Sequence, residues 1–258
     1  MMTIDATINE QRLIADHILE MTLTLPSDGP MFDPEPGQFV HVQTGSANVL
    51  RRPLSICDYD SNMRQLTLIY RLEGEGTRHL SERKSGETVN LLAPLGQGFP
   101  LSELGADSTA LLVGGGVGVP PLYYLSKQLR ARGVKPIHVL GFADKKAVFY
   151  DNKFCNMGET FVATVDGSAG TQGFVTDVIN QRGLSADVIY ACGPVPMLQA
   201  MQAYQEACPV YISLETRMGC ALGACYACVC GVPGSASDYK KVCTDGPVFQ
   251  VGEVELSC

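Results

Sequence analysis

The sequence predicts a β plus α/β protein, in which an antiparallel β-barrel precedes an α/β domain with a parallel sheet and a small C-terminal segment. Three observations predict this order: short strand-like runs fill residues 1–100, strands alternate with helices across residues 101–212, and six of the ten cysteines lie within residues 213–258. A chain of 258 residues is long enough for more than one domain. We therefore expect domain boundaries near residues 100 and 212.

The first 100 residues contain short alternating or β-branched runs, at 18–25, 38–43 and 65–72. Turn-forming residues such as those at 26–30 separate the runs. Many short strands between turns are typical of an antiparallel barrel or sandwich. The segment 93–99, rich in glycine and proline, is expected to close the barrel and lead into the next domain.

The middle of the chain alternates between strand-like and helix-like patterns. Predicted strands lie at 110–113, 136–141, 161–165 and 187–191, and predicted helices at 121–132 and 194–207. Such alternation is typical of an α/β layer with a parallel sheet. The tail at 213–258 is too short to bury a core of its own, so we expect a metal or a cluster to stabilise it.

The composition limits the partners and the compartment. The net charge of −8 disfavours nucleic acid as the main partner, because binding to phosphates needs a basic surface. The first 20 residues lack the apolar core of a secretory signal, and glycines and prolines break the weakly polar run at 110–125. We therefore expect a soluble, cytoplasmic protein that does not bind a membrane, in which clustered cysteines bind metal or do redox work.

The cysteines of the tail have a spacing that indicates an iron–sulfur site. Cys220-x4-Cys225-x2-Cys228 is followed by Cys243 after fourteen intervening residues. The x4 and x2 spacing matches the plant-type [2Fe–2S] loop, and three thiolates from one tight loop with a fourth from a distant segment suit two irons. Small residues in the loop let backbone N–H groups approach the cluster sulfurs. We therefore predict these four cysteines as the cluster ligands.

Other interpretations of the tail cysteines stay open at this point. A structural zinc site also takes four cysteines, although zinc ribbons usually pair two Cys-x2-Cys knuckles and the second knuckle is missing here. Inert buried thiols are the remaining alternative. We interpret Cys230 as a non-ligand, because its x1 spacing from Cys228 makes bridging to the same irons awkward, and we expect the terminal Cys258 to be free.

Two glycine turns end predicted strands in the middle of the chain. The run Gly114-Gly115-Gly116-Val117-Gly118 lies between a strand and a helix, where glycines permit a pyrophosphate to approach the helix N-terminus. Cys192-Gly193-Pro194 ends a later strand in the same way. Ligands of open α/β sheets sit beyond the carboxyl ends of the strands, so the two turns suit one extended ligand. The strict G-x-G-x-x-G fingerprint is absent, and ordinary turns, with Cys192 as a packing residue, stay the alternative.

An arginine–serine segment interrupts the first domain. Arg52 lies three residues before Ser55, with Pro53 and Leu54 between them, and both side chains suit a phosphate. Residues three apart on a strand face opposite sides, so we expect Pro53 to make this strand end irregular. A surface arginine pair is the alternative. The backbone amides of residues 73–77 are a further candidate seat for a phosphate.

Taken in order, these segments resemble the ferredoxin–NADP reductase superfamily, whose members join an FAD-binding antiparallel barrel to a nicotinamide-binding α/β domain. Arg52-Pro53-Leu54-Ser55 resembles its flavin motif, in which arginine and serine hold the FAD pyrophosphate. Ile69-Tyr70-Arg71 and Gly76-Thr77 look like further flavin contacts. The turn at 114–118 looks like the nicotinamide pyrophosphate loop, and the turn at 192–194 is similar to the stretch beside the nicotinamide ring.

The tail narrows the resemblance. The cysteine loop at 215–228 and the run Asp-Gly-Pro-Val-Phe at 245–249 resemble the family of dihydroorotate dehydrogenase B electron-transfer subunits, and the likeness covers nearly the whole chain. The resemblance implies FAD, one [2Fe–2S] cluster and NAD as the electron acceptor. It also implies a partner, an FMN-containing catalytic subunit that oxidises dihydroorotate in pyrimidine (UMP) synthesis, in a heterotetramer with two copies of each subunit.

The implied electron path follows from the chemistry of the cofactors. A nicotinamide takes two electrons as hydride and an iron–sulfur cluster moves one at a time, so the flavin must lie between them. We therefore expect electrons to pass from the partner's FMN through the cluster to FAD and then to NAD+. The residues themselves leave NAD or NADP open, because Asp144 suits a ribose 2′-hydroxyl whereas Lys145 and Lys146 suit a 2′-phosphate. The resemblance favours NAD.

Two alternative functions remain at this point. Related subunits of sulfide dehydrogenase, or of NADH-dependent ferredoxin:NADP oxidoreductase, share the layout of flavin and cluster. An alternative from another class is a zinc-stapled binding module without turnover. A flavin and an iron–sulfur cluster absorb visible light, whereas a zinc-loaded module would be colourless, so a spectrum separates the classes.

Overall fold

The computed structural model describes residues 1–29, 31–45, 50–102 and 104–256. Within these ranges the first part of the chain folds into a closed antiparallel barrel. Its strands are β1 (Met2–Ala15), β2 (Ile18–Thr24), β3 (Phe39–Val42), β4 (Arg52–Asp60), β5 (Gln65–Arg71) and β6 (Thr88–Leu95). Around the barrel they follow the order β1-β2-β5-β4-β3-β6, and a short helix, α1 (Glu75–Ser81), lies between β5 and β6.

The barrel interior is filled by alternate side chains of its strands. On β1, for example, Ile4, Ala6 and Ile8 are buried while their neighbours are exposed. This period of two is what a strand with one face on the core requires. The runs predicted at 18–25, 38–43 and 65–72 correspond to β2, β3 and β5, so the predicted antiparallel barrel is confirmed.

A second, seven-stranded sheet follows within the described residues. Its strands are β7 (Thr109–Gly115), β8 (Lys135–Phe142), β9 (Glu159–Thr164), β10 (Thr171–Gln172), β11 (Val188–Cys192) and β12 (Val210–Ser213), joined by a strand of the tail. The helices of this part are α2 (Val119–Ala131), α3 (Asp151–Cys155), α4 (Val175–Arg182) and α5 (Val195–Met201). Short 3-10 turns lie at Gly116–Gly118, Lys145–Ala147 and Gln202–Tyr204.

The strands of this sheet follow the order β10-β9-β8-β7-β11-β12, and all of their pairings are parallel. The predicted α/β layer is thereby confirmed. One predicted helix is too long: the helix expected at 194–207 ends at Met201 and continues only as a 3-10 turn. Residues 202–207 are mostly polar and exposed, so they offer no apolar face that would hold further helical turns against the sheet.

The C-terminal segment packs on both preceding parts. It contains β13 (Val229–Gly231), β14 (Tyr239–Lys241) and β15 (Val248–Gln250). β13 pairs with β14, whereas β15 adds an antiparallel edge to the larger sheet beside β12. Gln97, just after the barrel, donates its backbone N–H to Gly246 over 2.7 Å and its side-chain amide to Thr244 over 3.2 Å. Burial against neighbouring parts therefore replaces the core that so short a segment lacks.

Among the described residues, no helix combines the length and the apolar character that crossing a membrane requires. Boundaries at residues 100 and 212 stay a prediction. The expectation that Cys258 is free falls outside the described residues.

Candidate functional site

A central cavity of about 380 Å³ opens between the barrel, the larger sheet and the cysteine loop. Eight of the predicted flavin contacts line it. They are Arg52, Pro53, Leu54, Ser55, Ile69, Tyr70, Arg71 and Thr77. Residues 52–55 pair with β3 in an uninterrupted register, so the irregularity expected at Pro53 is not seen; the register shift of β4 lies between Ile56 and Asp58. All four residues are half-buried, and both Arg52 and Ser55 line the cavity although they stand three residues apart.

Arg52 is held against the first turn of α1. Its guanidinium donates to the carbonyl of Leu50 over 2.7 Å. A Cβ atom on Gly76 would lie 2.7 Å from the Arg52 Nε, so glycine is what admits the guanidinium to this place. With the hydroxyls of Ser55 and Thr77 on the same cavity, this end is cationic and rich in donors. Such a set suits a pyrophosphate.

Part of the cavity wall was not predicted from the sequence. The residues missed are Phe39, Val117, Ser213, Leu214, Glu215, Thr216, Met218 and Pro247, whereas Glu73 and Gly74 belong to the segment 73–77 that the sequence offered as a phosphate seat. Val117 belongs to the glycine turn, Glu215 to Met218 lead into the cysteine loop, and Pro247 follows its last cysteine. The only sequence signal for them was their position beside recognised motifs, because none is a ligand-binding residue type in a spacing of its own.

Glu215 lines the side of the cavity nearest the larger sheet, and the fully buried Cys192 lies near it. The Glu215 side chain is open to the cavity, yet protein surrounds its carboxyl group, and this desolvation raises its pKa; Arg71 opposes the effect and Glu73 adds to it. Burial likewise raises the pKa of the Cys192 thiol, which lies near Glu215 and within hydrogen-bond reach of Ser213. Both groups are therefore biased toward their neutral forms at this junction.

The two glycine turns form the floor of a second cavity of about 530 Å³. Gly115, Gly116 and Pro194 line it. Gly114, Gly118, Cys192 and Gly193 pack behind them: a Cβ atom on Gly118 would lie 2.2 Å from the Cys192 carbonyl oxygen, and one on Gly193 would lie 3.1 Å from Gly115. The structure thus brings together both turns that the sequence singled out, at the carboxyl ends of β7 and β11, where open α/β sheets bind ligands.

The four predicted cluster ligands lie together as two pairs. The side chains of Cys220 and Cys225 are within hydrogen-bond reach of each other, as are those of Cys228 and Cys243. Cys225 is exposed, Cys220 is half-buried, and the second pair is buried. Two pairs of sulfur ligands fit a group with two metal ions better than a single ion. Within the described ranges, no three side chains of His, Cys, Asp or Glu lie close enough together to hold a metal ion.

The backbone of the cysteine loop favours the thiolate form of Cys220. Ala221, Gly223 and Tyr226 adopt left-handed conformations, and Leu222 donates its N–H to the Cys220 sulfur over 3.3 Å. Desolvation opposes ionisation of Cys220, but backbone N–H groups of Leu222, Cys225 and Ala224 lower its pKa to about 7. A concave set of N–H groups of this kind binds anionic groups, so the loop fits an iron–sulfur cluster. Cys230 lies on β13, is buried and takes part in a disulfide, which agrees with its interpretation as a non-ligand.

Comparison with known proteins gives the chain its family. Residues 215–255 match the family described as the iron–sulfur cluster binding domain of dihydroorotate dehydrogenase B. The chain is 58% identical over 252 residues to the dihydroorotate dehydrogenase B (NAD(+)) electron transfer subunit of Geobacillus kaustophilus, with 97% of each chain covered. It is 57% identical to the subunit of the same name from Bacillus caldolyticus, again with 97% of each covered.

Solved structures share the fold of this chain. One from a study of flavin-based electron bifurcation, the NADH-dependent reduced ferredoxin–NADP oxidoreductase, superposes with a TM-score of 0.85 at 30% identity, covering 97% of this chain and 90% of that one. Phthalate dioxygenase reductase shares the fold with a TM-score of 0.66 at 21% identity, covering 83% and 70%. The chain belongs to the family of dihydroorotate dehydrogenase B (NAD+) electron transfer subunits and is thus a subunit of an oxidoreductase.

Proposed function

We propose that this chain carries electrons from a dihydroorotate-oxidising catalytic subunit to NAD+, with FAD in the central cavity and a [2Fe–2S] cluster in the cysteine loop. The catalytic partner holds FMN and performs the oxidation of dihydroorotate itself, in the synthesis of pyrimidines. Two copies of each subunit form the complex. As the sequence led us to expect, we place the complex in the cytoplasm.

The single observation that carries the proposal is the composition of the central cavity wall. It draws residues from the barrel, from the glycine turn at Val117, and from both arms of the cysteine loop at Met218 and Pro247. A group bound there would touch the candidate dinucleotide site on one side and the candidate cluster site on the other. This is the position that a carrier between one-electron and two-electron chemistry must occupy.

Within the cavity the residues divide into a polar and an apolar set. Arg52, Ser55 and Thr77 would bind the FAD pyrophosphate through charge-assisted hydrogen bonds. Leu54 and Tyr70 offer apolar and aromatic surface to the ring system and keep water away from it. When bound, the flavin exchanges hydride with a nicotinamide and single electrons with an iron–sulfur cluster.

The remaining predicted residues would serve the nicotinamide, the flavin and the cluster. Gly115, Gly116 and Pro194 would let the NAD+ pyrophosphate approach the backbone at the start of α2, while Gly114, Gly118 and Gly193 allow the two turns to pack closely enough to form that floor. Ile69 and Arg71 would contact the flavin from β5, and Gly76 makes room for Arg52. Cys220, Cys225, Cys228 and Cys243 would supply the thiolates.

The test uses the complete complex, purified anaerobically together with its catalytic subunit. We expect visible absorption from flavin and from iron–sulfur charge transfer, two irons per chain of this subunit, and dihydroorotate-dependent reduction of NAD+. Replacement Cys225→Ser should abolish turnover from dihydroorotate to NAD+ but spare NADH oxidation by an artificial acceptor. The matched variant Cys155→Ser changes an exposed cysteine outside the loop and should leave both activities intact.

Two outcomes would overturn the proposal. A colourless protein that contains zinc would favour the stapled binding module. A Cys225→Ser complex with unchanged turnover from dihydroorotate to NAD+ would mean that electrons do not cross the cysteine loop. A related subunit of a ferredoxin:NADP oxidoreductase is the less favoured alternative, because the 30% identity to that structure lies far below the 58% identity to the dihydroorotate dehydrogenase B subunit.

A further inference from the structure

A β-bulge brings one amide side chain to the inner face of the barrel. Ala6 and Ile8 of β1 face the interior, and strict alternation would place Glu10 there next. The register of β1 with β2 shifts between Ile8 and Glu10, so Gln11 takes that place instead, opposite the completely buried Met21. Gln11 itself is half-buried. A polar side chain on an apolar face needs hydrogen-bond partners.

The Gln11 side chain uses both ends of its amide. Its Nε2 donates to three carbonyl oxygens at the end of α1, those of Leu80, Ser81 and Arg83, over 3.2, 3.0 and 3.3 Å. Its Oε1 accepts the Tyr70 hydroxyl over 2.7 Å. These partners settle the orientation of the amide, because carbonyl groups only accept and therefore require its NH2 group. Gln11 thus joins β1, β5 and α1.

The helix α1 has one end at the barrel interior and the other at the central cavity. Leu80 is completely buried among the barrel side chains, whereas Gly74 and Thr77 line the cavity. The last carbonyls of a helix have no partners within it, so a donor that binds them fixes that end. A helix of seven residues is too short to be stable by itself. The amide of Gln11 therefore contributes to where Thr77 lies.

Tyr70 connects the same amide to the other wall of the cavity. Its side chain lines the cavity from β5, although only 2% of the residue is exposed. Burial raises the pKa of Tyr70, so its hydroxyl stays protonated and donates to Gln11. A hydrogen bond at the hydroxyl restricts both side-chain torsions of the tyrosine. Gln11 thereby fixes the face that the ring presents to the cavity.

We propose that Gln11 is a positioning residue for the flavin, which holds Tyr70 against the ring system and α1 beside the pyrophosphate through one amide group. The inference rests on the proposed function, which places the ring system at Tyr70 and the pyrophosphate at Thr77. Gln11 is not among the described residues that line the cavity, so it acts through these two neighbours.

The test uses the purified complex and measures the rate of FAD release and the fluorescence emission of the bound flavin, neither of which needs turnover. Gln11→Met keeps the length of the side chain and removes all of its hydrogen bonds. We expect FAD to leave about three- to tenfold faster, which corresponds to one net hydrogen bond. The emission should change as well, because the aromatic ring moves relative to the flavin.

Two further variants separate the two arms of the amide. Tyr70→Phe removes only the hydroxyl, so it should change the emission as Gln11→Met does but accelerate release less, because α1 stays held. Gln11→Glu still accepts from Tyr70 but cannot donate to the carbonyls of α1, so it should keep the wild-type emission and release FAD faster. The double variant Gln11→Met/Tyr70→Phe should release FAD no faster than Gln11→Met alone, because the hydroxyl acts through the amide.

The control lies on the same strand. Asn9→Ala breaks the side-chain hydrogen bond between Asn9 and Thr24, which is 2.8 Å long and exposed, and should leave release and emission at their wild-type values. A Gln11→Met complex that unfolds more easily but keeps both wild-type values would overturn the proposal, since the amide would then serve the barrel alone. Effects on release that multiply in the double variant would also contradict it. A wild-type complex without flavin would instead contradict the proposed function, so the two failures are distinguishable.

Discussion

Gly118 and Cys192 lie backbone against backbone where the two glycine turns meet, and a Cβ atom on Gly118 would stand 2.2 Å from the Cys192 carbonyl oxygen. No side-chain movement can relieve such a contact, because the atom that would be struck belongs to the backbone of β11. The turn after β7 and the turn after β11 are consequently one packed unit. The floor of the second cavity depends on this unit.

Gly118→Ala should therefore separate the two turns. We expect a loss of about 2–3 kcal/mol in the free energy of unfolding, as for other overpacked positions, and weaker binding of NADH. Denaturant unfolding and calorimetry measure the two effects. Gly105→Ala is the matched control, since a Cβ atom there meets nothing within 4 Å and the backbone is not left-handed. If Gly118→Ala were as stable as Gly105→Ala, the close approach of the turns would be wrong.

The glycine turns also show which features of the fold a sequence pattern can predict and which it cannot. Glycines at the ends of β7 and β11 predicted that both turns face one ligand, since carboxyl ends of parallel strands share an edge. The sequence did not show that the turns touch, because contacts between distant segments leave no local pattern. The antiparallel β15 was missed for the same reason: its pairing with β12 depends on where the tail packs, and its three residues have no period to detect.

Arg51 and Arg52 are adjacent in sequence but have different partners. Arg51 donates to the carbonyls of His41 and Asn90 over 3.2 and 3.0 Å and to the Asn90 side chain, so it ties β3 to the segment of β6. Arg52 lines the central cavity, and Arg51 does not. The sequence could not separate a candidate phosphate-binding arginine from a surface pair, because what surrounds each side chain depends on segments distant in sequence.

Arg52→Gln should weaken FAD binding by about 10- to 100-fold, because charged hydrogen bonds to the pyrophosphate are lost. Its free energy of unfolding without flavin should change little. Arg51→Gln removes the same charge but should leave the FAD affinity of folded protein near the wild-type value, while lowering stability by about 1–2 kcal/mol. Flavin fluorescence titration and denaturant unfolding of flavin-free protein measure these quantities. Equal loss of FAD affinity in both variants would support a general charge effect instead of a site.

Glu20 joins the barrel to the α/β domain. It is a carboxylate on β2 with a side chain only 6% exposed. Arg12 donates to it over 2.6 Å and Lys153 over 3.2 Å, and the Tyr150 hydroxyl donates a short hydrogen bond. Burial alone would raise the pKa of Glu20, but the hydrogen bonds from Tyr150 and Arg12 and the charge of Lys153 outweigh it and lower the pKa. No sequence pattern indicated this group, because its three partners come from separate segments.

Glu20→Gln should lower the free energy of unfolding by about 1–3 kcal/mol at neutral pH, since charged hydrogen bonds become neutral ones. In the wild type the pKa of Glu20 in the folded state lies below the ordinary carboxyl pKa. At pH values between these two pKa values, the unfolded chain therefore binds more protons than the folded chain. The stabilisation is therefore complete above the ordinary carboxyl pKa and is lost as the pH falls through the folded value. Denaturant titrations at several pH values should show that Glu20→Gln lacks this pH-dependent part of the free energy of unfolding. Glu253→Gln, in an exposed pair with Lys240, is the control and should change stability by less than about 1 kcal/mol.

His138 lies fully buried in the α/β domain, between Ser126 of α2 and Thr160 of β9. Its Nε2 is 2.8 Å from the Ser126 hydroxyl and its Nδ1 is 2.9 Å from that of Thr160. Thr160 donates its own proton to the carbonyl of Gly158 over 3.0 Å, so it accepts from Nδ1–H and leaves Nε2 to accept from Ser126. These hydrogen bonds require the neutral form of the imidazole, since Nε2 must accept one of them. Burial lowers its pKa to about 4, and the charge of Arg130 acts in the same direction.

The neutral His138 predicts a loss of stability on mild acidification, at a higher pH than the Glu20 effect. The ordinary histidine pKa is about 6.5, and the pKa of His138 in the folded state is about 4. Between these pH values the unfolded chain binds a proton at His138 and the folded chain does not. The free energy of unfolding therefore falls as the pH falls through this window, by up to about 3 kcal/mol for His138. Burial lowers the pKa of His41 to about 4 as well, and it adds a second contribution.

His138→Asn should therefore be less stable at pH 7, because Ser126 loses its acceptor, yet flatter in its pH dependence between about 6.5 and 4. Denaturant unfolding at several pH values measures this slope, with His17→Asn as the control, since His17 is exposed and asparagine tolerates its left-handed backbone. A slope in His138→Asn as steep as in the wild type would mean that His138 takes up its proton without unfolding the domain.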